Sequence, residues 1–325
     1  MRAITITKPG GPDVLALVER PLPEPMRGEV RVRVRATAVN RADLLQRMGA
    51  YPAPPDAPPD IPGLEIAGEV EALGPGVARL AIGDRVFGLV GGGGYAEAIV
   101  SHERALAKIP GGMSFEQAAA VPEAFVTAHD AIVTQANLRG GEVLLVHAVG
   151  SGVGTAAAQL GRAYGVTVIG TARTRDKLDR AKPLGLDVGI TTADGKFADA
   201  VRAAAPDGAA VVLELVGGNY LAEDLRCVQP LGRIALVGLL AGMKTEVDLG
   251  LVLHKRVRIF GTMLRSRPLE QKISAMRAFE EQVVPLFARG LVKPVIDCVI
   301  PLADAARAHE RMASNAGFGK IVLTT

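Results

Sequence analysis

The rhythm of apolar and polar positions along this chain changes once, near residue 115. Before that point, short runs alternate. EVRVRVRA at 29–36 places Val30, Val32 and Val34 on one face and charged residues on the other, the pattern of a half-buried strand. EIAGEVEAL (65–73), DRVFGLV (84–90) and YAEAIVS (95–101) continue it, punctuated by Gly63, Gly74, Gly76, Gly83 and the glycines at 91–94. Short strands so spaced predict a compact β barrel or sandwich.

After the helical stretch FEQAAAVPEAFVTAHDAIV, apolar runs recur at 142–149, 166–170, 186–190, 210–216, 233–239 and 257–264. Segments of helical length separate most of them. Strands apolar on both faces that alternate with helices predict a parallel sheet covered on both sides, an α/β fold. Beyond about 265 the pattern mixes: a helix at 270–290, PVIDCVIPL, a helix at 302–314 and a last strand, GKIVLTT. The economical division returns this tail to the β-rich part. That gives a first β-rich segment at 1–122, an inserted α/β domain at 123–264 and the return at 265–325.

The first strand of the α/β segment runs into HAVGSGVGTAAAQL (147–160). A glycine turn between strand and helix is the setting that holds a dinucleotide pyrophosphate. Gly150 and Gly152 allow a tight turn and close approach of phosphate, Gly154 lets the helix sit against the strand, and Ser151 adds a hydroxyl. The N–H groups and dipole of the helix start favour the anion. The spacing is Gly-x-Gly-x-Gly rather than Gly-x-Gly-x-x-Gly. In the alternative alignment, Ala148, Gly150 and Val153 occupy the three places. A tight turn without ligand would read the same.

An NAD site expects an acid at the tip of the second strand, about 20 residues on, for the ribose diol. Here the tip reads Thr171-Ala172-Arg173-Thr174-Arg175-Asp176-Lys177. Hydroxyls and cations in that place suit a 2′-phosphate, so the expected cofactor is NADPH, with Thr171, Arg173 and Lys177 around the phosphate. A solvated helix start would also carry such residues.

Composition narrows the picture. The chain has 325 residues and a net charge of +3, too even a balance to predict a nucleic-acid partner. No apolar run approaches the ~20 residues of a membrane span. MRAITITKPGG lacks the apolar core of a signal peptide, which predicts an unprocessed cytoplasmic protein. Cys227 and Cys298 form neither a disulfide framework nor a Cys-x-x-Cys knuckle. His102, His129, His147, His254 and His309 show no ligand spacing and read as surface or packing residues.

GLEIAGEVEALGPGV (63–77), AIGDRVFGL (81–89), AAAVPEAFVTA (118–128), the glycine loop and the closing GKIVL together resemble the zinc-free quinone oxidoreductases. These are zeta-crystallin-like members of the medium-chain dehydrogenase/reductase superfamily, and the resemblance covers essentially the whole chain. TMLRSR (262–267) and AFEEQVVPLF resemble the narrower tumour-suppressor-inducible branch. The resemblance implies a discontinuous GroES-like domain, a doubly wound Rossmann domain holding NADPH, and a homodimer through the last Rossmann strand at about 255–263.

Zinc-dependent relatives carry Gly-His-Glu where this chain has Gly63-Leu64-Glu65, and their early cysteine is missing from VNRADLLQR. Leu64 cannot ligate, and two cysteines cannot build a four-cysteine lobe, so no metal is expected. By resemblance, Asn40 meets the nicotinamide or a substrate oxygen, Tyr51 offers its hydroxyl to cofactor or substrate, and Thr127 holds the carboxamide. Gly238, Leu239, Leu264, Arg265 and Ser266 would follow the nicotinamide half. Read from their surroundings alone, Asn40 also suits a helix cap, Tyr51 a loop anchor and Arg265 a dimer-surface charge.

The implied reaction is hydride transfer from NADPH to a small quinone. A quinone needs no Lewis acid, because the product anion is aromatic and delocalised. Enals and enones form the alternative substrate class, and an NADPH-binding structural or RNA-binding protein is the alternative of another kind. Two positions depart from the pattern. Thr191-Thr192 stand where the branch often has an aromatic against the adenine, and Pro183 should shorten the helix after the second strand.

Overall fold

The computed structural model describes residues 1–192 and 194–325. In chain order its strands are β1 (Arg2–Ile6), β2 (Leu15–Glu19), β3 (Glu29–Val39), β4 (Glu65–Leu73), β5 (Arg85–Leu89), β6 (Ala98–His102) and β7 (Leu106–Lys108). Then follow β8 (Val143–Val146), β9 (Thr167–Ala172), β10 (Val188–Thr191), β11 (Ala209–Glu214), β12 (Val228–Leu236) and β13 (Arg258–Gly261). The last two are β14 (Ile296–Pro301) and β15 (Lys320–Thr324). Two units divide them. The β-rich unit takes Met1–Val126, Leu264–Ala288 and Lys293–Thr325, and the α/β unit takes Thr127–Met263 with Arg289–Val292.

In the β-rich unit the alternation at 29–36 extends into the eleven residues of β3, whose Val30, Val32 and Val34 are buried with Ile66, Val70, Val86, Ile99 and Leu106. The sheet order is β14-β15-β3-β4-β5-β7, with β6 also paired to β3. β3 is shared along its length: Glu29–Arg33 face β6, while Ala36–Val39 face β15. The C-terminal strand is thus an inner strand of the first domain's sheet. Gly68 makes the close pairing of β4 with β3 possible, since a Cβ there would sit 2.1 Å from the Arg33 carbonyl oxygen.

The α/β unit carries the six strands that the apolar runs predict, all parallel, in the order β10-β9-β8-β11-β12-β13. Its central strands are apolar on both faces, and Leu144, Leu145, Val168, Ile169, Val211, Val212 and Ile234 are wholly buried. The order reverses between β8 and β11, the switch point where open sheets of this topology bind ligands beyond their carboxyl ends. Pro183 acts as expected: the helix Arg175–Ala181 gives way to a tight turn at Lys182–Leu184, and Gly185 follows in a left-handed conformation. Among the described residues no helix is long and apolar enough to cross a membrane.

Candidate active site

In the α/β unit, β8 ends at Val146 and the helix Gly152–Ala163 begins after a turn. Ser151 caps that helix, its Oγ accepting the Gly154 N–H at 3.0 Å. Gly154 fills its expected place, because a Cβ there would lie 2.5 Å from the Ala148 oxygen and 2.8 Å from the Val149 Cα. The left-handed position in the turn falls on Ala148, with φ +47°, rather than on one of the loop's glycines. Neither Gly150 nor Gly152 is left-handed, so handedness is not what calls for glycine at those two positions. The N–H groups of Gly152 and Val153 belong to the first turn, which has no intrahelical acceptor for them.

At the tip of β9, Arg173 is exposed and Lys177 half-buried. Thr171 departs from expectation: it is buried, and its Oγ1 lies 2.9 Å from Nδ1 of His147. Strand alternation turns this hydroxyl inwards, so a phosphate here would meet Arg173 and Lys177 but not the Thr171 side chain. Gly238 follows β12, its N–H donating to the Glu214 carbonyl at 3.2 Å, and Leu239 beside it is 45% exposed. Thr127 is buried, and its Oγ1 has no hydrogen-bond partner among the described residues. A buried hydroxyl without a partner is costly and calls for a ligand group.

His147 is fully buried in the same unit. Its Nε2 is 2.7 Å from Oδ1 of Asp224, 77 positions on, and 3.9 Å from Oε2 of Glu214. The rings of Phe197 and Tyr220 enclose it. Among the described residues these three form a group close enough to hold a metal ion, a proximity that sequence spacing does not disclose. Glu214 Oε1 instead accepts the N–H groups of Val216 and Gly217, shaping the loop after β11. Burial holds the His147 pKa down to about 4 and pushes both carboxyls up to about 8.

In the β-rich unit, Asn40 stands at the start of the helix Arg41–Arg47, its N–H donating to Asp43 Oδ2 at 2.7 Å. Its side chain is committed as well: Nδ2 donates to Glu65 Oε1 at 2.8 Å and Oδ1 accepts from Lys320. Lys320 Nζ also reaches Glu65 Oε1 at 2.6 Å, and Glu65 Oε2 accepts the Glu123 N–H at 2.8 Å. Asp43 in turn accepts from Gly63 N–H and the Tyr95 hydroxyl, and burial moves its pKa up to about 6. Both helix cap and cluster member, Asn40 orients Glu65.

Tyr51 is half-buried under the Arg265 guanidinium, which lies 5.0 Å from its ring centroid. Arg265 is only 7% exposed. Its Nε donates to the Gly91 carbonyl at 2.7 Å, and its Nη atoms to Gln46 and the Tyr51 carbonyl. It anchors the Tyr51 loop and is no surface charge; Leu264 beside it is buried and Ser266 exposed. Burial raises the Tyr51 pKa. Glu123, Arg265 and Lys272 line a small cavity with Leu89, Val90 and Leu264. Leu64 is 2% exposed, an aliphatic side chain next to Glu65.

Residues 26–111 match the alcohol dehydrogenase GroES-like domain, and residues 152–289 match the zinc-binding dehydrogenase family. A quinone oxidoreductase of Pseudomonas aeruginosa is 36% identical over 97% of this chain and 96% of its own. The chain belongs to the quinone oxidoreductases, within the medium-chain dehydrogenase/reductase superfamily. Two solved structures cover the whole of this oxidoreductase. One is an Escherichia coli quinone oxidoreductase complexed with NADPH, with a TM-score of 0.89, 28% identity and 100% of its own chain matched. The other is an NAD-dependent alcohol dehydrogenase, with a TM-score of 0.87, 34% identity and again 100% of its own chain. Sequence reasoning on this family passed over Glu123 and Lys320. Both lie inside quoted motifs, PEAFVTA and GKIVL, but they meet Glu65 from 58 and 255 positions away.

Proposed function

We propose that this oxidoreductase reduces small quinones with NADPH and without zinc. The observation that carries the reading is the buried Leu64–Glu65 pair. At the position of a zinc ligand stands an aliphatic side chain, and the neighbouring carboxylate is neutralised by Lys320. A site so built offers no Lewis acid, and a quinone is an acceptor that needs none. Relatives of this fold are named for either nicotinamide cofactor, so the choice rests on this chain's own residues. Arg173 and Lys177 would pair with the 2′-phosphate, and the helix start at Ser151, Gly152 and Val153 would hold the pyrophosphate. The Thr127 hydroxyl, without a hydrogen-bond partner among the described residues, would take the carboxamide, and Gly238, Leu239, Leu264 and Ser266 would follow the nicotinamide half.

NADPH supplies a hydride when bound. The chain's part is to place the acceptor, with Tyr51 held by Arg265 and Asn40 keeping Glu65 in register. The reading extends to a homodimer. β13 is an edge strand, and Leu249, Leu253 and Met263 around it are 72%, 74% and 50% exposed.

A panel of benzoquinone, phenanthrenequinone and a short enal, each with NADPH and NADH, tests the substrate. Turnover of the enal alone would overturn it. Lys177→Ala should weaken NADPH far more than NADH, and equal loss for both would remove the 2′-phosphate assignment.

A further inference from the structure

We infer that Glu123 is the acid that protonates the reduced substrate. This rests on the quinone-reductase reading above and completes its chemistry. Hydride addition to a quinone moves two electrons and one hydrogen and leaves a hydroquinone monoanion. One proton is still owed to its oxygen, and a protonated side chain in the site can supply it.

The β-rich unit has three groups to consider. Asn40 has its amide committed to Glu65 and Lys320, and an amide is no acid. The Tyr51 hydroxyl is made less acidic than usual by burial, which the nearby Arg265 guanidinium offsets only in part. Glu123 remains. Its backbone N–H is tied to Glu65, which fixes the residue beside the Asn40 cluster, and Glu123 lines a cavity with Arg265, the residue that carries Tyr51.

The chemistry of that position favours the protonated acid. Burial first, then the Glu65 carboxylate, push the Glu123 pKa up to about 8. At neutral pH it therefore carries its proton. A transfer to a phenolate-like oxygen, whose acid form has a pKa of about 10, runs downhill. The step is balanced: the Glu123 O–H bond breaks, the hydroquinone O–H bond forms, and Glu123 is left as the carboxylate. The cavity of about 10 Å³ is the size of one water and has three polar walls, Glu123, Arg265 and Lys272. A water there would return the proton.

The test compares Glu123→Gln, Glu123→Ala and the unchanged enzyme in steady-state quinone reduction with NADPH across pH 6 to 10. The unchanged enzyme should lose kcat above about pH 8. Glu123→Gln should bind NADPH with unchanged affinity, lose kcat by about 100-fold or more and lack the alkaline limb. Glu123→Ala should regain part of its rate with imidazolium as an external acid. Glu123→Gln within threefold of the unchanged enzyme with the same pH profile would overturn the assignment. So would a folded, NADPH-binding Glu123→Ala that external acids do not rescue. If the unchanged enzyme reduces no quinone, the quinone reading itself falls. The same variants are then compared on the enal, whose carbanion also needs a proton, and the assignment to Glu123 stands or falls there.

Discussion

Glu65 in the β-rich unit and Glu214 in the α/β unit are both fully buried carboxyls, yet their partners differ in kind. Among the described residues the Glu65 carboxylate meets donors only: Lys320, the Asn40 amide and the Glu123 N–H. Glu214 has two backbone donors on Oε1, but its Oε2 and Oδ2 of Asp224 meet no donor among the described residues. With His147 held neutral by burial, no ion pair from a lysine or arginine reaches this cluster among the described residues. The first cluster neutralises its charge with a counter-ion, and the second does so by keeping protons. Proton-held carboxyls lose their protons as pH rises past neutrality, so the second cluster answers to pH.

The largest effect should come from Lys320→Met, which leaves Glu65 buried and uncompensated. A loss of about 3–5 kcal/mol is expected in urea unfolding, with much of it recovered in Lys320→Met/Glu65→Leu. No recovery would mean that the two groups do not act as a pair.

Next comes the pH response. Glu214 and Asp224 have folded pKa values above their unfolded ones, so the stability they contribute is fully present below about pH 4 and lost as pH rises towards 8. His147 works the other way, its folded value being depressed, and removes stability as pH falls from 6.5 towards 4. Between pH 6.5 and 8 the carboxyls act without that opposition. Unfolding free energy should then decline by about 1.4 kcal/mol per pH unit for each such carboxyl, Glu123 included, and Glu214→Gln should reduce the slope by one such share. An unchanged slope in that variant would place the protons elsewhere.

Asn40→Ala removes a hydrogen bond to a charged group and should cost about 2 kcal/mol in the same unfolding experiment. Thr171→Val removes a neutral one from His147 and should cost about 1 kcal/mol. If the two losses were reversed in size, the contrast between charged and neutral clusters would not hold.

Much of the fold was open to a reading of the sequence, and for a physical reason. Strands covered on both faces must be apolar throughout, so β8 to β13 announce themselves, and Pro183 cannot continue a helix. Gly154 was readable because helix packing on a strand leaves no room for a Cβ. The clusters were hidden because long-range pairing leaves no periodicity: Lys320 gives no sign that Glu65 is its partner. Thr171 shows a second limit. A hydroxyl at a strand tip suits a phosphate or an interior histidine equally, and only the parity of β9 decides. Ala148 shows a third, since nothing in an alanine forecasts a left-handed backbone.

The placement of β15 between β14 and β3 has a consequence for synthesis. The α/β unit has all its strands before residue 264 and can settle while the chain is still growing. The first domain cannot. Until residue 320 emerges, β3 lacks its β15 partner over Ala36–Val39 and Glu65 lacks its cation. The part of the protein made first is thus finished last, and its open edge during that interval is where a growing chain is most exposed to mispairing.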